Sequence, residues 1–201
     1  YIIVFDFKSL YPSIIRTFNI DPYRFDRTGK KGEITAPNKA RFFKEKGILP
    51  GIIQYLLEKR DHAKKKKDAV SSQAIKITMN SFFGVLANPM CRFFSLDMAN
   101  AITSYGRYIV QDTAKKVEEM GYKVIYGDTD SIFVESKAES LDEADVIGRK
   151  IEEFITEYWE GVVKDWYNMP SFLELQYEKV YKKFILPKLR GTDEGAKKRY
   201  A

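Results

Sequence analysis

Two apolar runs, YKVIYG and SIFVES, stand mid-chain with only the triplet DTD between them. So short a connection cannot carry the crossover that parallel strands need, so the runs can pair only as an antiparallel hairpin. The chain is thereby committed to a sheet with antiparallel strands. The same turn sets Asp128 and Asp130 one residue apart between Tyr126 and Phe133, where strand residues are expected to be apolar. Carboxylates that close tolerate each other only if a cation or a proton relieves their repulsion. The plainer alternative is a turn that uses Asp for its tolerance of unusual backbone angles. An EF-hand loop beginning at Asp128 and closing at Glu139 fails, because Phe133 stands where that loop needs Gly and Ile132 is apolar.

The rest of the chain fits around that hairpin. YIIVFDF reads as a buried strand with Asp6 near its end, and SLYPSIIRTFNI as a short helix with Ser9 as cap and Pro12 in its first turn. Residues 21–47 mix Pro, Gly and charges and are expected to be the least ordered part, a long loop with room for one hairpin. GIIQYLLEKRDHAKKKKD, opened by Pro50, directs Ile53, Leu56 and Leu57 inward, and SSQAIKITMNSFFGVL follows after a turn near residues 69–72. These two helices form a hairpin. From Asp97 to Met120 the positions Met98, Ile102, Tyr105, Ile109 and Val117 keep helical spacing, with Gly121 as the stop. LDEADVIGRKIEEFITEYW is helical with Leu141, Ile147, Ile151, Phe154 and Tyr158 on one face, and FLELQYEKVYKKFILP reads as two strands or one bent one. The fold class expected is α+β: an antiparallel sheet backed by helices, interrupted by a helical hairpin.

With 201 residues, 44% of them hydrophobic, the chain can bury one large core or two small ones. No apolar run nears the ~20 residues that cross a bilayer, and the start lacks the signature of a signal peptide. The expectation is a soluble, intracellular protein without a membrane partner. One Cys and one His, Cys91 and His62, cannot build a structural zinc site, so any metal must be held by oxygen. A net charge of +6 suits a polyanion partner. Tyr1 already opens an apolar run and KKRYA ends without a cap, which suggests a piece of a longer chain.

Asp6 is either a cap for the following helix or a third carboxylate beside the DTD turn. In the second case the three share one sheet edge, which suits two hard cations such as Mg²⁺ about 4 Å apart, clamping the oxygens of a phosphoryl transfer. Opposite charge comes from the helical hairpin. Arg60 and Lys64 are one turn apart on its first helix, and Lys76 and Asn80 on its second; together they suit a triphosphate. Lys65 and Lys66 belong to a solvated face, whereas Lys76 sits among residues suited to packing, where a lone cation wants a partner. Gly84 costs ~1 kcal/mol within a helix relative to Ala; close approach to a backbone or base, or helix packing, accounts for it. Lys197, Lys198 and Arg199 beside Tyr200 suit phosphates and base faces.

DFKSLYPSI, KITMNSFFG, YGDTDS and KKRY, in this order, resemble the first palm motif, the fingers motif, the second catalytic palm motif and the primer-template motif of family B DNA polymerases. SLYPSIIRTF, CRFF and RGTDEGAKKRYA look most like the bacterial DNA polymerase II branch. The resemblance implies a palm at residues 1–47 and 89–201, with fingers at residues 48–88. It implies that the exonuclease domain and thumb lie outside the chain, and that a sliding clamp, if one is used, is met by those missing regions. Primer-template DNA and deoxynucleoside triphosphates are the implied partners, and two Mg²⁺ ions, for which Mn²⁺ could substitute, the implied cofactors.

Residue by residue, Asp6 and Asp130 match the shared metal ligands, Asp128 the flanking carboxylate, and Phe7 a carbonyl that completes a metal shell. Ser9 and Leu10 match phosphate-binding N–H groups, and Tyr11 the steric gate against a 2′-hydroxyl. Arg60, Lys64, Lys76 and Asn80 match the triphosphate-holding residues, and Glu178 an additional palm carboxylate. Gly84 closes the fingers motif and is counted with the DNA-binding residues. Lys197, Lys198, Arg199 and Tyr200 match the grip on the nascent pair's minor groove and the primer. Where the family usually has NSxYG this chain has NSFFG, and Phe83 lacks the expected hydroxyl, which implies altered fidelity. The implied reaction is attack of a primer 3′-hydroxyl on the α-phosphate of a deoxynucleotide. A DNA-holding module without catalysis and a two-metal nuclease are the alternatives; neither needs the fingers cations together with the acidic pair.

Overall fold

The computed structural model describes residues 1–185. The DTD hairpin is formed by β4 (Lys123–Gly127) and β5 (Ser131–Glu135), with Val124 opposite Val134 and Gly127 opposite Ile132. The Asp128 N–H donates to the Ser131 carbonyl at 2.9 Å and closes the turn. β5 pairs antiparallel with β1 (Ile2–Phe7), and β1 with β6 (Leu175–Tyr181), giving one sheet in the order β4-β5-β1-β6. Ile3, Val4 and Phe5 of central β1 are all buried. Successive strand residues point to opposite faces, so both faces of the sheet are covered there. β6 is one strand with a bulge: Val4 pairs with Lys179 and Phe5 with Tyr177, leaving Glu178 as the extra residue.

The chain divides into two compact units. The first comprises Tyr1–Lys8, Ile109–Trp159 and the described chain from Glu174, and contains the sheet. Within it α5 (Leu141–Tyr167) lays Gly148 against β6, where a Cβ would lie 2.9 Å from the Tyr177 ring. The Tyr177 N–H donates to Glu152 at 3.2 Å and its hydroxyl donates to Asp145; burial first, then that hydrogen bond, pushes the hydroxyl up to about 12. Trp159 Nε1 of α5 donates to Thr113 Oγ1 at 2.9 Å, on the second half of α4 (Leu96–Glu119). All five apolar positions expected to face inward on α4 are buried. On α5 the face is rotated from the one expected. Ala144, Gly148, Ile151, Ile155 and Trp159 are buried, whereas Leu141 and Phe154 are 39% and 41% exposed. Gly148 meets β6 at the Tyr177 ring and Ala144 is buried on the same face, and a count of large apolar side chains overlooks both.

The second unit comprises Ser9–Tyr108 and Glu160–Leu173. Its core surrounds α1 (Leu10–Thr17), which is buried along most of its length. Phe18 stacks on Tyr105 with ring centroids 3.7 Å apart, and the hydroxyls of Tyr105 and Tyr167 both donate to the Thr35 carbonyl at 3.1 Å. Burial raises the Tyr105 hydroxyl far above its ordinary range. Residues 21–47 are better ordered than composition suggests. β2 (Ile34–Thr35) and β3 (Arg41–Phe42) form the short hairpin. Buried Asp26 accepts from the Thr28 hydroxyl at 2.6 Å and from the N–H groups of Thr28, Lys31 and Gly32 at 2.9, 2.6 and 2.8 Å. These bonds, the Thr28 hydroxyl foremost, hold its carboxyl well below the usual range.

The helical hairpin consists of α2 (Ile48–Lys65) and α3 (Ala69–Ala87). Its turn lies at residues 66–68, earlier than the spacing of small residues suggests. Lys67 adopts φ 57°, the Lys67 and Asp68 N–H groups donate back to the Lys64 and Ala63 carbonyls, and Asp68 accepts from the Ser71 N–H at 2.9 Å. One helix is thus closed by a left-handed stop and the next opened by a side-chain cap within three residues.

Candidate functional site

Strand register gathers the carboxylates of the first unit. Asp6 is opposite Ser131 of β5 and Gln176 of β6, and the Phe7 N–H donates to the Asp130 carbonyl at 2.9 Å. Asp130 therefore stands beside the Asp6–Phe7 step, at the edge where the DTD turn meets the end of β1. Both carboxylates are half-buried, while Phe7, on the alternate face, is buried. The Asp128 carboxylate serves its own turn, accepting from the Thr129 N–H at 2.8 Å and the Thr129 hydroxyl at 3.2 Å. Glu178 is exposed on the β6 bulge, with Lys179 Nζ 3.7 Å from its carboxylate.

A group beside Asp6 was not foreseen. Glu174 takes Lys8 Nζ at 2.9 Å on one oxygen and Gln176 Nε2 at 3.0 Å on the other, while its carbonyl accepts from the Lys8 N–H at 3.0 Å. No sequence signal joins Lys8 to a Glu so distant in the chain. Among the described residues no group of three or more His, Cys, Asp or Glu side chains converges as a metal site. The donor set nonetheless fits a hard cation. Mg²⁺ is commonly held by one or two carboxylates, with water and substrate phosphate completing its shell.

In the second unit the start of α1 departs from the expected cap. Ser9 adopts φ 48° and ψ 56°, and its side chain makes no capping bond. A non-Gly residue in this left-handed region costs about 1 kcal/mol or more. The Ser9 carbonyl accepts from the Ser13 N–H at 3.0 Å, the first bond of the helix. Leu10 is buried and Tyr11 half-buried, with the Tyr11 ring 4.9 Å from that of Phe83 on α3.

On the helical pair, Arg60 is half-buried, and its buried Nε has no hydrogen-bond partner among the described residues. Lys64, Lys76 and Asn80 are exposed. The expectation that packing surrounds Lys76 is corrected: its neighbour Ile77 is 60% exposed, and α3 fully buries only Met79 and Leu86. The apolar residues of AIKITM spread around the helix, and only a narrow stripe of them is covered. Gly84 does not serve helix packing either, since a Cβ there would meet nothing within 4 Å. Lys64 also lines an open cavity of about 320 Å³ at the hairpin turn, with Lys67, Ser72 and Gln73. Lys197, Lys198, Arg199 and Tyr200 lie outside the described residues.

The family model of DNA polymerase family B matches residues 1–201. DNA polymerase II of Escherichia coli (strain K12) is 42% identical over the whole chain, which spans 26% of that protein. The DNA polymerase of Thermococcus gorgonarius is 34% identical over 90% of the chain and 24% of its own length. The fold is similar to that of the family B DNA polymerase from the hyperthermophilic archaeon Pyrobaculum calidifontis, with a TM-score of 0.69 at 25% identity, over 99% of this chain and 25% of that one. The chain thus spans about a quarter of the length of these relatives. With its motifs in the family's order, its antiparallel sheet carrying the acidic turn, and a family match from end to end, this chain belongs to DNA polymerase family B.

Proposed function

We propose that these residues form the palm, residues 1–47 and 89–201, and the fingers, residues 48–88, of a DNA-directed DNA polymerase that adds deoxynucleotides to a primer 3′ end. The observation that carries this reading is the register of β1 against the DTD turn, which sets Asp130 beside Asp6 through the Phe7 N–H bond in a family B chain. Asp6, Asp130 and the Phe7 carbonyl would hold two Mg²⁺ ions, or Mn²⁺ in their place. Such ions, when bound, supply positive charge to the phosphate oxygens as bonds are exchanged.

The remaining roles fall to the chain's own groups. Arg60 offers a planar fork to the triphosphate, Lys64 and Lys76 offer point charges, and Asn80 a neutral donor. The Ser9 and Leu10 N–H groups meet phosphate at the start of α1, where the helix dipole favours an anion. The Tyr11 ring excludes a 2′-hydroxyl. Asp128 and Glu178 flank the acidic edge, Gly84 leaves room beside the nascent pair, and Lys197 to Tyr200 grip primer and minor groove. The place of action is the cell's DNA, and no helix among the described residues is long and apolar enough to cross a membrane.

Primer extension by the full polypeptide carrying Asp130→Asn tests the reading. The substitution keeps shape and removes charge, so the rate should fall by roughly 10²- to 10³-fold while primer-template binding persists, a loss of the size seen when one transition-state-stabilising group is removed. Extension at the unaltered rate would overturn the role of Asp130.

A further inference from the structure

Two buried polar side chains join the exit of α1 to the start of α2, both within the second unit. Asn19, with φ 50°, and Asp21 are 3% and 1% exposed. Asn19 Nδ2 donates to the carbonyls of Phe43 and Glu45, both at 2.7 Å, and its Oδ1 accepts from the Gly47 N–H at 2.9 Å. One Asp21 oxygen accepts from the Tyr23 N–H at 2.8 Å, the other from the Leu49 N–H at 2.7 Å. Gly47 permits the fit: a Cβ there would lie 2.7 Å from Asp21 Cβ and 3.0 Å from Asn19 Oδ1. Farther along, the Arg16 guanidinium of α1 donates to Gln54 of α2 while resting 3.7 Å over the Phe172 ring.

The choice of cap is informative. A Ser or Asp at position 47 would satisfy the first N–H groups of α2 locally, but position 47 is Gly and supplies no side-chain cap. A local cap leaves the helix free to point anywhere. One supplied from Asp21, buried beside α1, also sets the direction in which the helix leaves. We infer that Asn19 and Asp21 are positioning residues that aim α2, and with it Arg60 and Lys64, at the triphosphate. This rests on the reading of those two cations as triphosphate ligands.

Helix geometry makes the aim sensitive. At ~1.5 Å per residue, Arg60 stands ~16 Å along the axis from Leu49, and a 10° tilt at the base would carry it ~3 Å sideways. That exceeds the tolerance of a hydrogen bond. Misplacement of a binding group far from the reacting atoms is therefore enough to weaken the grip on the substrate.

The test uses the full polypeptide with Asn19→Ala, Asp21→Ala, Asp21→Asn and Gly47→Ala, and Arg60→Ala as reference. Steady-state incorporation of one deoxynucleotide is measured with thermal unfolding, primer-template affinity and amide exchange at Gly47 and Leu49. The expected result for both alanine variants at 19 and 21 is faster exchange at these amides. KM for the deoxynucleotide should rise about tenfold, with kcat within threefold and DNA affinity unchanged. Asp21→Asn, which keeps one acceptor of the two, should fall between. Gly47→Ala removes no hydrogen-bonding group and should raise KM by forcing Asp21 aside. Should an alanine variant fail to fold, Asp21→Asn and Gly47→Ala decide the matter. An unchanged KM in these variants, where Arg60→Ala raises it, overturns the positioning role alone. An unchanged KM in Arg60→Ala as well overturns the triphosphate reading of α2 and this inference with it.

Discussion

At the scale of the residue, the contact between Phe83 and Tyr11 couples the departure from the usual fingers motif to the proposed steric gate. An aromatic pair is worth about 0.5–1.5 kcal/mol beyond its buried area. Phe83→Ala frees the Tyr11 ring by that amount and should raise ribonucleotide incorporation by roughly two- to tenfold, measured as the ratio of kcat/KM values for ribo- and deoxynucleotides. Asp26 yields a prediction with a definite sign. Its carboxyl is depressed in the folded chain, first by the Thr28 hydroxyl, so its contribution to stability is complete above the unfolded value near 3.9 and is lost as pH falls. Urea unfolding of the parent and of Asp26→Asn should therefore differ at neutral pH and converge below about pH 4. A gap that widens in acid would contradict the assignment. Both residues are plain in the sequence, but their partners are not. Asp26 looks like one charge in a polar loop until Lys31 and Gly32 fold back onto it.

Among the elements, the junction of α5 and β6 leaves no room for a side chain at position 148. Gly148→Ala would press a methyl group into the Tyr177 ring at 2.9 Å and should cost about 1–3 kcal/mol, read as a lower denaturation midpoint with an unchanged m-value. A neutral result would mean that the ring moves aside. Elements were legible where their pattern is carried by large side chains. The DTD hairpin and the strand β1 follow from apolar runs, and the inward face of α4 follows from Met98, Ile102, Tyr105, Ile109 and Val117. The buried face of α5 departs from the pattern of its large side chains because it includes Ala144 and Gly148, and small residues weigh little in a periodicity. The turn between α2 and α3 lies earlier than the sequence suggests because Lys67 takes a left-handed conformation that its residue type does not favour.

For the whole molecule, net charge bears on the proposed binding of DNA. A net charge of +6 favours a phosphate backbone, and the affinity of the polypeptide of residues 1–201 for primer-template should be weak and fall steeply as salt rises. In the full polypeptide, Lys198→Ala should reduce the slope of log K against log salt by about 0.9, measured by fluorescence anisotropy; an unchanged slope would remove Lys198 from the phosphate contacts. What the sequence determined alone was the class of sheet, the acidic residues at its turn, the basic helical pair and the family, because these reside in local pattern and in motif order. Tertiary structure alone decided which groups meet: Glu174 with Lys8, Phe83 with Tyr11, and Asn19 and Asp21 with the first turn of α2. Each of these contacts joins positions far apart in the chain. Their partners are chosen by the path of the backbone and by the need to satisfy buried polar groups, and neither leaves a mark on the residues nearby.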